Sequence, residues 1–198
     1  MTRFWARARW TGALAALAFV ASACGGSSQF LDPEADLPYY ERVGVVPFET
    51  LANDRAAGER VSHVFFNELL RVEFAQVAEP GQFTAAMAQV RGNKSPASPW
   101  STAELAKLGE TAGVQGVFLG TVVEYEMVRI GRDSFPMVSI EVRLVDTQTG
   151  RLVWSANRTE KEGPGIPLLS WGRNRTLSEL SAVLIGDILE PLKREAGK

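Results

Sequence analysis

The stretch VSIEVRLVDTQTGRLVWSA, Val138 to Ala156, decides the fold. Val138, Ile140, Val142 and Leu144 are apolar while Ser139, Glu141 and Arg143 between them are polar, and this period of two predicts a strand with one buried face. Asp146-Thr147-Gln148-Thr149-Gly150 then brings an Asp that can accept from nearby backbone amides and a Gly that can adopt positive φ, so it reads as a turn. Leu152, Trp154 and Ala156 resume the alternation on a return strand. Upstream, Val117 to Val123 (VFLGTVV) is rich in β-branched and aromatic residues and runs into the alternating Glu124-Tyr125-Glu126-Met127. Three such segments in succession predict an antiparallel meander.

Around this meander the sequence changes period. Arg42 to Phe48 (RVGVVPF) is a short apolar run closed by Pro47, which fits a buried strand ending at the loop Glu49 to Asp54. Val61, Val64, Phe65 and Leu69 then recur at three- and four-residue intervals, which puts them on one face of a helix over Arg55 to Val72. Glu73 to Glu79 reads as a short strand broken by Pro80-Gly81, and Phe83 to Val90 as a short helix. Ser101 with Glu104 three residues on is a capping-box signal for a helix striped by Leu105, Leu108 and Ala112 and stopped by Gly113. Leu177, Leu180, Leu184, Ile188 and Leu192 stripe a last helix from about Asn174 to Glu195. The expected fold is α/β: a single mixed, largely antiparallel sheet with a β-meander, packed by helices that include a long C-terminal one.

The chain has 198 residues, enough for one domain with short appendages, and its hydrophobic (45%) and charged (22%) fractions are those of a globular protein. One Cys excludes an internal disulfide, and one Cys with one His cannot build a Cys/His zinc cage, so no metal or other cofactor is expected. Nor does the sequence offer a catalytic constellation. His63 sits in a helical stretch without a signature around it, Glu124 and Glu126 read as a solvated strand face, and Gly113, Gly116 and Gly120 lack the context of a phosphate loop. No enzymatic activity is expected. The formal charge is -2; residues 1–23 contain Arg3, Arg7 and Arg9 and no acid, so their removal leaves 18 basic against 23 acidic residues, a net -5. Such a chain is a poor partner for nucleic acid.

Those first 23 residues read as a signal peptide: three arginines, an apolar run from Ala13 to Ala23, then small residues leading to the only Cys. The run is about half the ~20 residues that cross a bilayer. Ala21-Ser22-Ala23-Cys24 resembles a bacterial lipobox, which implies cleavage before Cys24 and a diacylglycerol on its sulfur; Ala21 stands where Leu is usual. The same tripeptide satisfies the A-x-A rule, under which ordinary signal peptidase cuts the same bond and leaves a free N-terminal Cys. The placement of Cys24 directly at the cut, followed by the small, polar Gly25-Gly26-Ser27-Ser28, favours the lipid. Gly25, in the absence of an Asp there, resembles the pattern that permits export to the outer membrane. Residues 24–40 then form a lipidated Cys and flexible tether of at most ~55 Å, and residues 41–198 the domain.

One more segment carries a functional expectation. Ile166-Pro167-Leu168-Leu169-Ser170-Trp171 is apolar for a region so rich in Gly and Pro. Ile166, Leu168, Leu169 and Trp171 are therefore candidate membrane- or partner-contact residues, the alternative being that they fold back over the domain's own core.

Three phrases, Val43 to Phe48 (VGVVPF), Gly116 to Val122 (GVFLGTV) and Val142 to Trp154 (VRLVDTQTGRLVW), stand in an order that resembles the CsgG, PelC and LpoB group of bacterial envelope lipoproteins, whose α/β domain is related to the N-terminal domain of TolB. The resemblance spans roughly residues 42–195. It implies a non-enzymatic scaffold or ring component of a secretion, polysaccharide-export or related envelope assembly. It further implies a homo-oligomer, with a lipid-anchored, periplasm-facing position in the outer membrane and other envelope proteins as partners. The chain departs from CsgG in lacking long alternating segments for a transmembrane barrel, and from LpoB in its short tether; in size it is nearest PelC. The alternative is an activator of a periplasmic enzyme such as a peptidoglycan synthase.

Overall fold

The computed structural model describes residues 27–95, 98–163 and 175–196. Its elements run β1 (Ser27–Leu31), β2 (Arg42–Val45), β3 (Glu49–Thr50), α1 (Ala57–Val72), β4 (Gln76–Val77), α2 (Pro80–Arg91), α3 (Thr102–Ala112), β5 (Gly116–Ile130), β6 (Asp133–Asp146), β7 (Leu152–Lys161) and α4 (Leu177–Ala196). The strands form one seven-stranded sheet in the order β1-β7-β6-β5-β2-β4, with β3 also beside β5. β5, β6, β7 and β1 pair antiparallel, whereas β2, β3 and β4 pair parallel. The α/β mixed sheet with its meander and C-terminal helix is therefore as the periodicity predicts.

Alternation along the strands divides the apolar residues between two cores. Val43, Phe118, Leu144 and Trp154 pack with α1 and α4, while Val117 and Val145, one residue away along their strands, point the other way and pack with Phe83 of α2 and Leu105 and Leu108 of α3. In the first core the rings of Phe65 and Phe118 lie 5.2 Å apart and those of Phe118 and Trp154 6.3 Å apart, both edge-on. Val138, Ile140, Val142 and Leu144 are all buried there.

The turn between β6 and β7 forms as its residues dictate. Asp146 Oδ1 accepts from the backbone N–H groups of Gln148 (3.0 Å) and Thr149 (2.7 Å), and Gly150 takes φ +71. The capping box of α3 is present in both directions, and Gly113 ends that helix at φ +62. Arg91 is buried at the end of α2, with its guanidinium 4.2 Å from the Trp100 ring centroid and in reach of the Ser98 and Pro99 carbonyls; Trp100 is thereby held against the second core.

Four local expectations are corrected. Pro80-Gly81 begins α2 rather than breaking a strand: Pro costs nothing at a helix start, and the Glu79 carboxylate accepts from the Gly81 and Gln82 amides as an N-cap. Leu152 is 40% exposed, because an irregularity between Leu144 and Val145 inserts Val153 into the ladder and hands it the buried position. β6 begins at Asp133, five residues before the clean alternation. Pro136 is tolerated within it because its carbonyl accepts from Glu162 N–H; its missing donor would point the same way, beyond the end of β7 and away from β5. Finally, residues 27–31, assigned to the tether, form the edge strand β1 on β7, with Ser27 opposite Arg158 and Leu31 opposite Trp154. Here an unpaired sheet edge supplies the partners that the local sequence does not advertise.

Candidate functional site

Of the residues singled out by sequence, Cys24, Ile166, Leu168, Leu169 and Trp171 lie outside the described residues. What the structure does place is the chain on either side of them. β1 begins at Ser27, three residues after Cys24, at the row of the sheet defined by Arg158 of β7 and Ile140 of β6. β1 continues through Leu31 toward Trp154, so its start points to the end of the sheet where β7 finishes and β6 begins.

Glu162 and Arg175, on either side of residues 164–174, lie at this same end. Glu162 donates its N–H to Pro136 O at 3.0 Å, which extends the pairing one residue past β7. Its nearly buried carboxylate then meets the other flank: Oε2 accepts from the Arg175 backbone N–H at 3.4 Å, and Oε1 lies 3.5 Å from the Arg175 guanidinium. The two flanks of the loop are thus tied together. Thr176 and Glu179 start α4 immediately afterwards with a reciprocal cap, Thr176 N–H to Glu179 Oε2 at 2.7 Å and Glu179 N–H to Thr176 Oγ at 3.2 Å. That backbone hydrogen bond holds the Glu179 carboxyl below its ordinary pKa. Sequence reasoning missed this box, although Thr and Glu at the right spacing were the signal.

β1 is held along its length. Ser28 N–H donates to Asn157 Oδ1, the Gln29 amide to Ile188 O of α4, and Asp32 N–H to Val153 O. Arg151 clasps the segment just beyond β1, at 2.6 Å from Asp32 Oδ2 and 3.2 Å from Glu34 Oε2. A short 3-10 turn, Leu37–Tyr39, then buries Leu37 and delivers the Tyr40 hydroxyl to Asp146 Oδ2 at 3.2 Å. Burial, reinforced by the Asp146 charge, pushes the Tyr40 hydroxyl far above its ordinary pKa, so it stays protonated and a donor.

The opposite end of the sheet carries two clefts of mixed lining. One, of about 680 Å³, lies between Tyr39, Glu41, Glu110 and Thr147; the other, of about 140 Å³, is lined by Asp32, Asp36, Asp146 and Arg151. Several of their polar groups are spent on structure. Thr147 Oγ lies 3.0 Å from Val114 O and 2.9 Å from Gln115 O, Asp146 serves the turn and Tyr40, and Asp32 serves Arg151. His63 is exposed on α1. On β5 Glu124 is half-buried and Glu126 exposed, and neither lines these two clefts. Among the described residues no cluster of three or more His, Cys, Asp or Glu is placed to hold a metal, and no helix is long and apolar enough to cross a membrane.

No profile of a known protein family matches the chain, and no curated protein matches it in sequence. Solved structures do. The PelC dodecamer from Paraburkholderia phytofirmans superposes with a TM-score of 0.57 at 23% identity, over 86% of this chain and 98% of that one. A single-substitution variant of that dodecamer gives 0.59 at 22% identity, over 86% and 99%. Lipoprotein GNA1162 from Neisseria meningitidis gives 0.55 at 22% identity, over 77% and 98%. The chain has the fold of PelC and of lipoprotein GNA1162, in agreement with the resemblance carried by its three sequence phrases.

Proposed function

We propose that the protein is an outer-membrane lipoprotein, anchored through Cys24 and facing the periplasm. In that position it serves as a non-enzymatic scaffold or ring component of an envelope secretion, polysaccharide-export or related assembly. The observation that carries this reading is the convergence at one end of the sheet. A lipid on Cys24 would sit three residues from Ser27, and the Glu162–Arg175 tie, which joins the flanks of the segment bearing Ile166, Leu168, Leu169 and Trp171, lies at that end. An anchor and an apolar segment attached at one end suit a domain that works against a membrane or a neighbouring subunit. Assembly into a ring is supported by the fold shared with PelC, whose solved form is a dodecamer.

The test is the native mass of protein extracted from membranes with its lipid intact, together with the intact mass of its N-terminal peptide. A closed oligomer with acyl mass on Cys24 is expected. A lipidated monomer would instead favour the activator reading, with a periplasmic enzyme such as a peptidoglycan synthase as the partner to seek. An unacylated Cys24 would refute the anchor.

A further inference from the structure

The distal part of the β5–β6 hairpin, MVRIGRDSFPM (Met127 to Met137), does not follow the rule that governs the rest of the sheet. Nearer the core, the face away from α1 and α4 carries Ser139, Glu141 and Arg143. Beyond Val138 apolar residues appear on both faces: Met127 is paired with the buried Pro136 on one, and Val128 with Phe135 on the other, followed by Ile130, while Ser134 and Asp133 stand opposite Arg129 and Ile130. Met127 is 48% and Ile130 36% exposed. β7 ends opposite Met137, so past the single bond from Glu162 to Pro136 these rows have no third strand among the described residues. A two-stranded ribbon is marginal in water on its own. The turn, Gly131-Arg132, takes positive φ only at Gly131, as in a type II′ turn, and projects two arginines, Arg129 and Arg132. Neither has an ion-pair partner among the described residues. On a chain whose remainder after residue 23 is net acidic, the segment Met127 to Met137 carries two arginines against one acid, Asp133, a net +1.

The reach of the anchor says what meets it. From Ser27 back to Cys24 the chain spans at most ~10 Å. The row of Ser27 runs through Arg158 to Ile140, and the hairpin continues seven residues past Ile140 to Asp133, or ~23 Å. While β1 stays paired, a lipid on Cys24 holds that row near the bilayer surface, and the hairpin projects past it from the same end of the sheet. We infer that the β5–β6 tip is an interfacial docking element: Met127, Val128, Ile130 and Phe135 enter the headgroup boundary, and Arg129 and Arg132 engage anionic lipid phosphates. At eleven residues including its turn, the segment is too short to span. The inference rests on the lipid-anchor reading of Cys24.

Cys24 is the only Cys, and the thioether to diacylglycerol consumes its thiol. In the mature lipidated chain, Ile130→Cys therefore gives one labelling site, at a position exposed enough to accept an environment-sensitive fluorophore. The probe is read in vesicles of phosphatidylethanolamine and phosphatidylglycerol. Expected are a blue-shifted emission and quenching by doxyl-labelled lipid, both diminished in the Arg129→Glu, Arg132→Glu background, while a label at Glu110→Cys on α3, at the far end, stays water-like. Vesicle-bound, acylated protein whose label at position 130 remains water-like would overturn docking and leave the anchor intact. A label shielded from water in detergent and unquenched by doxyl lipid would show that another copy covers the tip, and would also overturn docking. A second reactive thiol, at Cys24, would refute the anchor reading and this inference together.

Discussion

Gly44 lies so close to α2 that a Cβ built on it would fall 2.1 Å from Cε2 and 2.2 Å from Cζ of Phe83, a side chain that is itself buried. Gly186 on α4 is the opposite case: the nearest atom to its Cβ position is Glu68 Oε2 at 4.0 Å, the end of a flexible side chain. Gly44→Ala should therefore destabilise by about 1–3 kcal/mol through overpacking, whereas Gly186→Ala should stabilise by roughly 0.5–1 kcal/mol by restricting the unfolded chain and favouring helix. Denaturant titrations of the two variants check both signs. Glu104 makes a pH-dependent contribution. The Ser101 backbone N–H, then Lys94 and the Ser101 hydroxyl, hold its carboxyl down to about 2. A depressed carboxylate stabilises fully above its ordinary value of 4.5 and loses that contribution as the pH falls toward about 2. Between about pH 5.5 and about pH 2.5 the thermal midpoint of the wild type should consequently fall further than that of Glu104→Gln. Glu79 and Glu179, likewise depressed, are present in both proteins and cancel from the comparison.

At the scale of elements, β1 is the part most easily released. It is an edge strand of five residues with β7 as its one neighbour among the described strands. Its extension is clasped by Arg151, more than half exposed, through ion pairs that salt screens. Its amides should exchange with solvent before those of β5, β6 and α4, which carry the buried core. Arg151→Ala should accelerate exchange at Asp32 N–H, bonded to Val153 O, while leaving the β5–β6 ladder unchanged; hydrogen exchange read by NMR or mass spectrometry decides it, and equal protection in the two proteins would show that the clasp is idle. The consequence is functional. With β1 paired, the free length between Cys24 and the domain is ~10 Å; with β1 and the following segment released, it returns toward ~55 Å.

At the scale of the molecule, the proposed contacts gather at one end of the sheet, and the turn at the other end is closed by internal bonds. The start of β1, the Glu162–Arg175 tie and the β5–β6 tip lie at the first. The Asp146 turn, Tyr40 and Thr147 lie at the second, with their hydrogen bonds satisfied within the chain. Under the proposed scaffold function, Trp171→Ala should lower the oligomer mass or the membrane-bound fraction without moving the thermal midpoint. Light scattering and vesicle flotation on the lipidated protein separate the two effects. Unchanged mass and unchanged flotation would remove the loop from the interface.

Local periodicity alone determined the meander, the α3 capping box and the stripes of α1 and α4, because in these segments the period of apolar residues and the end signals agree. Contacts between segments distant in sequence decided the rest. Residues 27–31 have no strand period of their own and became a strand because β7 offered an unpaired edge. Leu152 and Val153 exchanged exposure through an irregularity in the ladder with β6, and Pro136 was admitted to β6 because β7 stops beside it. The grouping of the anchor end, the loop base and the hairpin tip is likewise a product of register. It joins residues far apart along the chain, such as Ser27 and Arg158, and a sequence specifies such neighbours only through the packed sheet that brings them together.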